Sequence, residues 1–273
     1  MPEGPEIRQA ADQIATALVD RPVTEIFFAF DRLKPFAEEL VGQCVTAIRT
    51  RGKAMVICFE KPLYIYSHNQ LYGRWYVRKL HAYPATNRQL RLAIHNSKKS
   101  ALLYSASDIQ VLSEEELAVH PFLCRVEMDV LDQAVTVEQV VDRFLDKRFH
   151  RRQLTILLLD QHFLGGLGNY LRSEILFVAR VHPALRPVDC TIDQIDALAQ
   201  SVLSVTLQSY ATKGITNDLQ IADALKQSGY KRSQYRHFVF GRQGKACFLC
   251  GASIVKEVYA GRRLYYCPNC QSL

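Results

Sequence analysis

The sequence predicts an α+β protein with an N-terminal β-sandwich preceded by a helix, a helical C-terminal region and a terminal β-hairpin. Three observations predict this class: an apolar helical repeat near the N-terminus, short alternating runs over residues 21–105, and longer helical periods from Thr136 onward. A chain of 273 residues is long enough for more than one core. The expected domains are residues 1–125, 137–236 and 237–273, with a linker over residues 126–136.

The N-terminal helix is predicted from apolar residues at helical spacing. They are Ile7, Ala10, Ala11, Ile14 and Leu18. Pro5 fits a first turn, where its missing N–H has no partner to lose. If Met1 is removed, the chain starts with the secondary amine of Pro2 beside the carboxyl group of Glu3. A neutral amine is a carbonyl nucleophile and a nearby carboxyl group can move its proton, although an ordinary solvated terminus is the alternative.

The β-rich region is predicted from short apolar or alternating runs separated by turn formers. These runs are Val23–Phe28, Val45–Ile48, Met55–Phe59, Leu63–Ser67, Arg74–Val77, Leu90–His95 and Ala101–Ser105. Their pattern favours a sandwich or flattened barrel over alternating strands and helices. Trp75 is expected in the core, and residues 106–136 have the mixed composition of a connector.

The helical region has clear N-terminal signals. Thr136 and Thr191 are predicted N-caps. Helical stretches are predicted over Val137–Leu145, Arg152–Leu159 and Leu171–Ala179, and from Thr191 to about Ser209.

A glycine-rich turn, Gly165-Gly166-Leu167-Gly168-Asn169-Tyr170, precedes the third of these helices. It lacks the lysine and hydroxyl residue of a P-loop and follows no strand, so a mononucleotide site is not indicated. We interpret it as a corner between helices, where a phosphate approaches the backbone and the N–H groups of the next helix. A tight turn without a ligand is the alternative.

The charge distribution favours a polyanionic partner. The net charge is +7, and the segment from Lys226 to Tyr265 holds nine Lys or Arg against one acid, Glu257. Aromatic residues interleave with these cations, which favours contact with a nucleic-acid backbone over an ordinary solvated basic face.

The composition also bounds the location of the protein. No run of about 18 apolar residues is present, so no membrane span is expected. The acidic, proline-containing start does not fit a secretory signal, which favours a reducing compartment.

Four of the eight cysteines form the pattern Cys247-x2-Cys250-x16-Cys267-x2-Cys270. Two close pairs separated by a short loop fit one tetrahedral zinc ion, with Ser253–Val258 and Arg263–Tyr266 as strands of a hairpin. Because four thiolates leave no open position, the zinc is expected to be structural; disulfides are the alternative. The other cysteines have the setting of reduced core residues. The histidines, including His68, lack the spacing of metal ligands and are expected to be structural or on the surface.

These motifs together resemble one family over nearly the whole chain, the formamidopyrimidine-DNA glycosylase and endonuclease VIII family. The motifs are Pro2–Glu6, Thr50–Ala54, Gly166–Tyr170 and the four-cysteine hairpin, in the family's order. Ser67–Gly73, Leu103–Asp108 and Tyr210–Gly214 look like the endonuclease VIII branch. The resemblance implies a helix-two-turn-helix arrangement for residues 137–236 and a zinc finger for residues 237–273.

The resemblance also implies catalytic roles. Pro2 would attack C1′ of a damaged nucleotide through its amine, and Glu3 would be the acid that assists opening of the sugar and departure of the base. Glu6 would support this site. Lys53 would assist β-elimination and contact phosphate, and Arg262 would assist the second elimination.

DNA contacts are implied in the same way. A target base inside a duplex must be flipped out. Gln70, Leu71 and Tyr72 would fill the space it leaves, although an ordinary turn with Leu71 facing the core is the alternative. Arg125 and Asn169 match positions that contact DNA phosphates.

The implied function is a bifunctional DNA glycosylase and AP lyase of base excision repair that removes oxidised pyrimidines by β,δ-elimination. The alternatives are the oxidised-purine activity of the sister branch and a non-catalytic DNA-binding relative. The expected partner is damaged double-stranded DNA, with one structural zinc, no small-molecule cofactor and no membrane. The protein is expected to be a monomer in the bacterial cytoplasm, associated with the nucleoid.

One departure from the family pattern concerns the connector. After Arg125 the family usually continues Val-Gly-Pro-Asp, whereas this chain has Val126-Glu127-Met128-Asp129. Loss of the turn-favouring Gly-Pro puts the connector geometry in doubt. Residues 212–236 are also only loosely similar, which leaves the base preference open.

Overall fold

The computed structural model describes residues 2–273 and divides into two compact units. The first contains Pro2 and Glu6–Arg125, and the second contains Glu3–Pro5 and Val126–Leu273. Met1 lies outside the described residues, and so does the expectation that it is removed. Within residues 2–273, no helix combines the length and the apolar character that crossing a membrane requires.

The first unit contains two antiparallel four-stranded sheets. The strands are β1 (Glu25–Phe28), β2 (Val45–Arg51), β3 (Ala54–Phe59), β4 (Leu63–His68), β5 (Arg74–Lys79), β6 (Leu90–His95), β7 (Lys99–Tyr104) and β8 (Asp108–Ser113). Their orders are β1-β6-β7-β5 and β2-β3-β4-β8. Helix α1 (Gly4–Leu18) contributes Ile7, Ile14 and Leu18 to the core that both sheets share, and Trp75 lies there as predicted. Short helices α2 (Phe36–Leu40), α3 (Glu114–Ala118) and α4 (Pro121–Arg125) complete the unit.

The expectation that residues 106–136 form only a connector is wrong. Strand β8 pairs with β4 along its whole length, and α3 follows it with a complete capping box at Ser113. Only two side chains of β8 enter the shared core, Ile109 and Val111, with Gln110 between them. Two alternating apolar residues are too few to indicate a strand from the sequence. The strand forms here because it pairs with β4, which lies far away in the chain.

The second unit is mainly helical. Its helices are α5 (Val137–Leu145), α6 (Leu154–Leu157), α7 (Asn169–Val178), α8 (Ile192–Ala211), α9 (Leu219–Gln227) and α10 (Arg232–Tyr235). Thr136 and Thr191 cap α5 and α8 with capping boxes, as predicted. The helix predicted over Arg152–Leu159 is a single turn. Leu154, Leu157 and Leu158 have helical spacing and are buried in the core of this unit, but the helix extends only over Leu154–Leu157.

The chain ends in a two-stranded hairpin, β9 (Val255–Tyr259) and β10 (Arg262–Tyr266). Ala260 and Gly261 form its turn with φ values of 46° and 73°. Two positive φ values are typical of the type I′ turn, whose twist matches that of a hairpin. The predicted hairpin is confirmed, with strand ends displaced by one or two residues.

Glu127 and Met128, which stand where the family usually has Gly-Pro, form well-connected backbone and side-chain contacts within the second unit. Neither residue has a positive φ, so the backbone requires no glycine there. Arg143 Nη1 donates to Glu127 Oε2 over 2.7 Å, and His162 Nε2 contacts Glu127 Oε1. The hydrogen bond from Arg143, followed by that from His162, holds the pKa of Glu127 below its usual range. The Gly165 N–H donates to the Met128 carbonyl over 2.7 Å, so both residues are tied to the loop that leads into the glycine motif.

Candidate active site and nucleic-acid interface

Glu3 caps the N-terminus of α7 in the second unit. The N–H of Tyr170 donates to Glu3 Oε1 over 3.0 Å, and the N–H of Leu171 donates to Oε2 over 3.3 Å. Glu3 is only 2% exposed. The N-terminus of a helix attracts negative charge, and its first N–H groups have no partner within the helix. The carboxyl group is therefore fixed in position by a helix 167 residues away in the sequence.

The glycines of residues 165–168 permit this contact. A Cβ on Gly168 would lie 2.4 Å from Glu3 Cδ and 2.5 Å from Oε1. Gly166 has a φ of +96°, and its carbonyl accepts the N–H of Gly4 over 2.8 Å. The interpretation that the α7 N–H groups receive an external phosphate is wrong for Tyr170 and Leu171, because they donate to Glu3. This contact also explains why α7 begins two residues before the predicted Leu171.

A buried arginine, which sequence reasoning missed, connects α7 to the hairpin. Arg172 Nη1 donates to the Thr155 carbonyl over 2.6 Å, and Nη2 donates to the Arg263 carbonyl over 2.8 Å. Burial lowers the pKa of Arg172 to about 10; the charge of Glu3 opposes the shift and that of Arg262 adds to it. The signal in the sequence was an arginine in the mainly apolar run of α7.

Arg262 lies exposed at the first position of β10, opposite Tyr259. Its strand is fixed to α7 twice: by Arg172, and by the N–H of Tyr265, which donates to Ser173 Oγ over 3.2 Å. Asn169, the first residue of α7, is half-buried. Helix α7 therefore positions three predicted site residues, Glu3, Asn169 and Arg262.

The four predicted metal ligands come together at the end of the chain. The Sγ atoms of Cys247, Cys250, Cys267 and Cys270 all lie within 4.8 Å of one another. Sγ of Cys247 and Cys270 are 3.9 Å apart, and those of Cys250 and Cys267 are 3.4 Å apart. Zn–S bonds of about 2.3 Å in a tetrahedron require sulfur atoms about 3.8 Å apart. The residues fit one structural zinc, which would hold the hairpin closed when bound.

A second buried carboxylate, Glu174, was also missed. It accepts N–H groups from Phe238, Val239 and Phe240 and the hydroxyl of Thr216, over 2.6–2.9 Å. Burial raises the pKa of Glu174, although these bonds oppose the shift. Because three of these partners lie in the segment that leads to the zinc hairpin, Glu174 anchors this segment to α7.

The first unit contains the other predicted catalytic residues. Lys53 lies in the β2–β3 turn and is 8% exposed, after Gly52 with a φ of +58°. Burial lowers the pKa of His68 and the charge of Lys53 adds to that effect, while Asp108 opposes it. Pro2 and Glu6 are half-buried, and Glu6 lies in the first turn of α1.

The predicted void-filling residues form a tight exposed turn. The Gly73 N–H donates to the Asn69 carbonyl over 2.7 Å, and Gln70 Oε1 accepts the Ser107 hydroxyl over 2.6 Å. Leu71 is 55% exposed and Tyr72 is 68% exposed, so the alternative with Leu71 facing the core is wrong.

Arg125 lies exposed at the end of α4, beside a cavity of about 500 Å³ in the first unit. Its lining includes Gln70, His68 and His120. Two predicted DNA contacts, Gln70 and Arg125, therefore border one concave surface.

Three family models match the chain. They describe the formamidopyrimidine-DNA glycosylase N-terminal domain over residues 1–107, its H2TH domain over residues 126–220, and the zinc finger found in FPG and IleRS over residues 244–273. Together with the Glu3 contact and the four-cysteine site, these matches define the class: an α+β DNA glycosylase with a helix-two-turn-helix domain and a zinc finger.

Full-length relatives identify the family. The chain is 46% identical over 271 residues to "Endonuclease 8" of Klebsiella pneumoniae subsp. pneumoniae and equally to that of Escherichia coli strain K12, covering 99% of this chain and 100% of each relative. The chain belongs to the formamidopyrimidine-DNA glycosylase and endonuclease VIII family, whose members are DNA glycosylases with AP lyase activity.

Solved structures share the fold. A complex of Lactococcus lactis Fpg with DNA that contains an abasic site matches with a TM-score of 0.81 and 19% identity, covering 99% of this chain and 100% of that one. MutM in complex with DNA that contains carbocyclic 8-oxo-G matches with a TM-score of 0.81 and 20% identity, covering 100% of both chains. At these identities the likeness concerns the fold.

Proposed function

We propose that this protein is a bifunctional DNA glycosylase and AP lyase of base excision repair that removes oxidised pyrimidines from duplex DNA. The observation that carries the proposal is the burial of Glu3 on the N-terminus of α7, directly after Pro2 in the chain. The full-length similarity to Endonuclease 8 supports the same activity and favours pyrimidines over the purine lesions of the sister branch.

The chemistry begins at the amine of Pro2, which is free once Met1 is removed. An α-amine has a pKa of about 7.7–8.0, so a useful neutral fraction is present near pH 7. The nitrogen attacks C1′ and loses its proton, the C1′–base bond breaks, and the base leaves with a proton. The C1′–O4′ bond then breaks as O4′ takes a proton, which leaves an iminium between C1′ and the Pro2 nitrogen. Glu3 assists opening of the sugar and this departure, and its fixed carboxyl group favours the positive charge of the resulting iminium. Glu6 supports the arrangement from the first turn of α1.

The iminium then serves as an electron sink. Loss of the C2′ proton expels the 3′ phosphate, and a second proton loss expels the 5′ phosphate; water then releases the sugar fragment from the amine. Lys53 holds phosphate charge during the first elimination and Arg262 during the second, since both cations stabilise charge as it develops.

The DNA contacts follow from exposure and charge. Leu71 and Tyr72, with Gln70 beside them, fill the space of the flipped base, because apolar wedges stabilise an opened stack. Arg125 and Asn169 contact phosphates, which fixes the protein on the duplex.

The remaining parts of the proposal concern organisation. One structural zinc binds the four cysteines, the protein acts as a monomer, and DNA in the bacterial cytoplasm is its partner, with association to the nucleoid. The domains are residues 1–125, 137–236 and 237–273, and residues 126–136 are the linker between the first two.

The substrate preference is tested by excision from matched duplexes that contain thymine glycol or 8-oxoguanine at the same position. We expect faster single-turnover excision of thymine glycol, and the Glu3→Gln variant serves as the control for background cleavage. A clear preference for 8-oxoguanine would overturn the pyrimidine assignment and support the sister activity.

A further inference from the structure

Three potential metal ligands lie together in the first unit, away from the cysteine site in the sequence. Glu25 in β1 is paired directly with His95 in β6, and His81 follows the end of β5. One ligand atom from each residue lies within 4.8 Å of those from the other two. The separation of 14 to 70 positions along the chain explains why no spacing pattern indicated a site.

Ser100 contacts both histidine residues, the ring of His95 and the backbone of His81. Its buried Oγ lies 2.7 Å from His95 Nδ1 and accepts the backbone N–H of His81 over 3.0 Å. Donation from His95 Nδ1–H to Ser100 leaves the lone pair of His95 Nε2 available for a metal. Metal-binding histidines usually have such a partner on the second nitrogen, because it selects the tautomer and holds the ring.

The backbone of His81 is also unusual. It has a φ of +54°, a left-handed conformation that costs free energy for most residues other than glycine. This conformation brings the His81 and His95 rings to a centroid distance of 4.8 Å, and His81 Nε2 lies 2.9 Å from Glu25 Oε2. Without a metal, this last contact is an ordinary hydrogen bond.

We propose that Glu25, His81 and His95 form a second, open metal site that takes a borderline divalent ion such as Zn²⁺. Two imidazoles and one carboxylate are a common zinc-ligand set, whereas Ca²⁺ and Mg²⁺ prefer oxygen ligands alone. The Tyr83 hydroxyl lies 3.5 Å from the same His95 Nε2, and a bound ion would replace it as the partner of this nitrogen. The bound ion holds the segment that follows β5 against β1 and β6.

The charge and burial of the group fit this ion. Burial lowers the pKa of His95, with Glu25 opposing and His81 adding to the shift, which favours the neutral ring that a metal ion binds. Glu25 and His81 are both about half exposed, which gives a metal ion access from solvent.

The test is a Zn²⁺ titration of the full-length protein whose cysteine site is already filled. Wild-type protein should bind a second equivalent, and its thermal midpoint should rise with free Zn²⁺. His81→Asn removes the imidazole but tolerates a positive φ, and Glu25→Gln removes the carboxylate. Each of these two single variants should lose the second equivalent of Zn²⁺. Ser100→Ala should weaken binding by about 10–100-fold, as for other residues that orient a ligand.

His150→Ala is the matched control, because His150 is half-buried in the second unit and should leave two equivalents bound. A wild-type protein that binds one equivalent only, or a second equivalent that survives in both His81→Asn and Glu25→Gln, would overturn the proposal.

Discussion

Two regions present their side chains in opposite ways. One is the corner formed by Glu3 and the N-terminus of α7, and the other is the turn over residues 69–73. In the corner, the side chain is buried and two backbone N–H groups hold it. In the turn, the backbone is held by a 2.7 Å hydrogen bond while Leu71 and Tyr72 are exposed. Both depend on a glycine: a Cβ on Gly168 would meet the Glu3 side chain, and a Cβ on Gly73 would lie 2.6 Å from the Asn69 backbone.

We expect this difference in side-chain exposure to correspond to two different functions. A group that exchanges protons or stabilises charge in a reaction must already be in position, because reorganisation costs rate. A side chain that enters a DNA stack must be accessible in the unbound protein, as those of Leu71 and Tyr72 are. We therefore expect substitutions in the corner to affect the chemistry and substitutions in the turn to affect base eversion.

Zinc removal has the largest expected effect, because the hairpin is attached to α7, the helix that Glu3 caps. Cys250→Ser or chelation should unfold the hairpin, displace Arg262 and reduce cleavage by about 1,000-fold. Cleavage of abasic DNA and DNA affinity measure this loss. Cys124→Ser is the control, since Cys124 is exposed and lies outside the cluster. Full affinity in zinc-free protein would contradict the expectation.

Gly168→Ala should break the corner without unfolding the protein. The backbone of Gly168 has a φ of −145°, which alanine adopts, and the clash is with the Glu3 side chain, which can move away only by losing its hydrogen bonds to α7. Turnover should fall by about 100-fold, as for a catalytic group displaced by an ångström. The free energy of unfolding should fall by only about 0.5–2 kcal/mol, the usual contribution of an N-cap.

A double-mutant cycle separates this effect from a general defect. In a Glu3→Gln background, Gly168→Ala should cost little further activity, since the group that it displaces has already lost its charge. Full additivity of the two losses would show that Gly168 acts elsewhere.

Tyr72→Ala should weaken DNA binding by the turn without changing the stability of the protein. Loss of stacking should reduce affinity for lesion DNA by about 1–3 kcal/mol. Because Tyr72 is largely exposed, the thermal midpoint should not change. The exposed Leu207 in α8 provides the control: Leu207→Ala should change neither quantity. Equal affinities for Tyr72→Ala and wild type would remove the void-filling role.

Glu127→Gln has the smallest expected effect and depends on pH. The pKa of Glu127 is lower in the folded protein than its unfolded value of about 4.3, so its carboxylate stabilises the fold above that pH. The contribution is lost as the pH falls through the folded pKa. Wild type should exceed the variant by less than about 1 kcal/mol at pH 7, because the carboxylate is partly exposed, and the two should converge at acidic pH. A constant difference across denaturation curves from pH 2 to 8 would contradict this.

Local signals in the sequence predicted much of this structure. Thr136 and Thr191 predicted helix starts because their capping partners lie three residues away, and the four cysteines predicted their site because each pair shares a turn. Contacts between distant segments were not predictable in this way. The capping of α7 by Glu3, the bridge from Arg172 to Arg263, and strand β8 all depend on partners far along the chain.

The central claim is that the Pro2 amine is the nucleophile beside a fixed Glu3, and borohydride trapping tests it most directly. Protein that begins at Pro2 and protein with one additional N-terminal residue are each mixed with abasic-site DNA and borohydride. We predict a covalent protein–DNA adduct with the first and none with the second, while both bind the DNA. An equal adduct in both preparations, or none in either, would contradict the account.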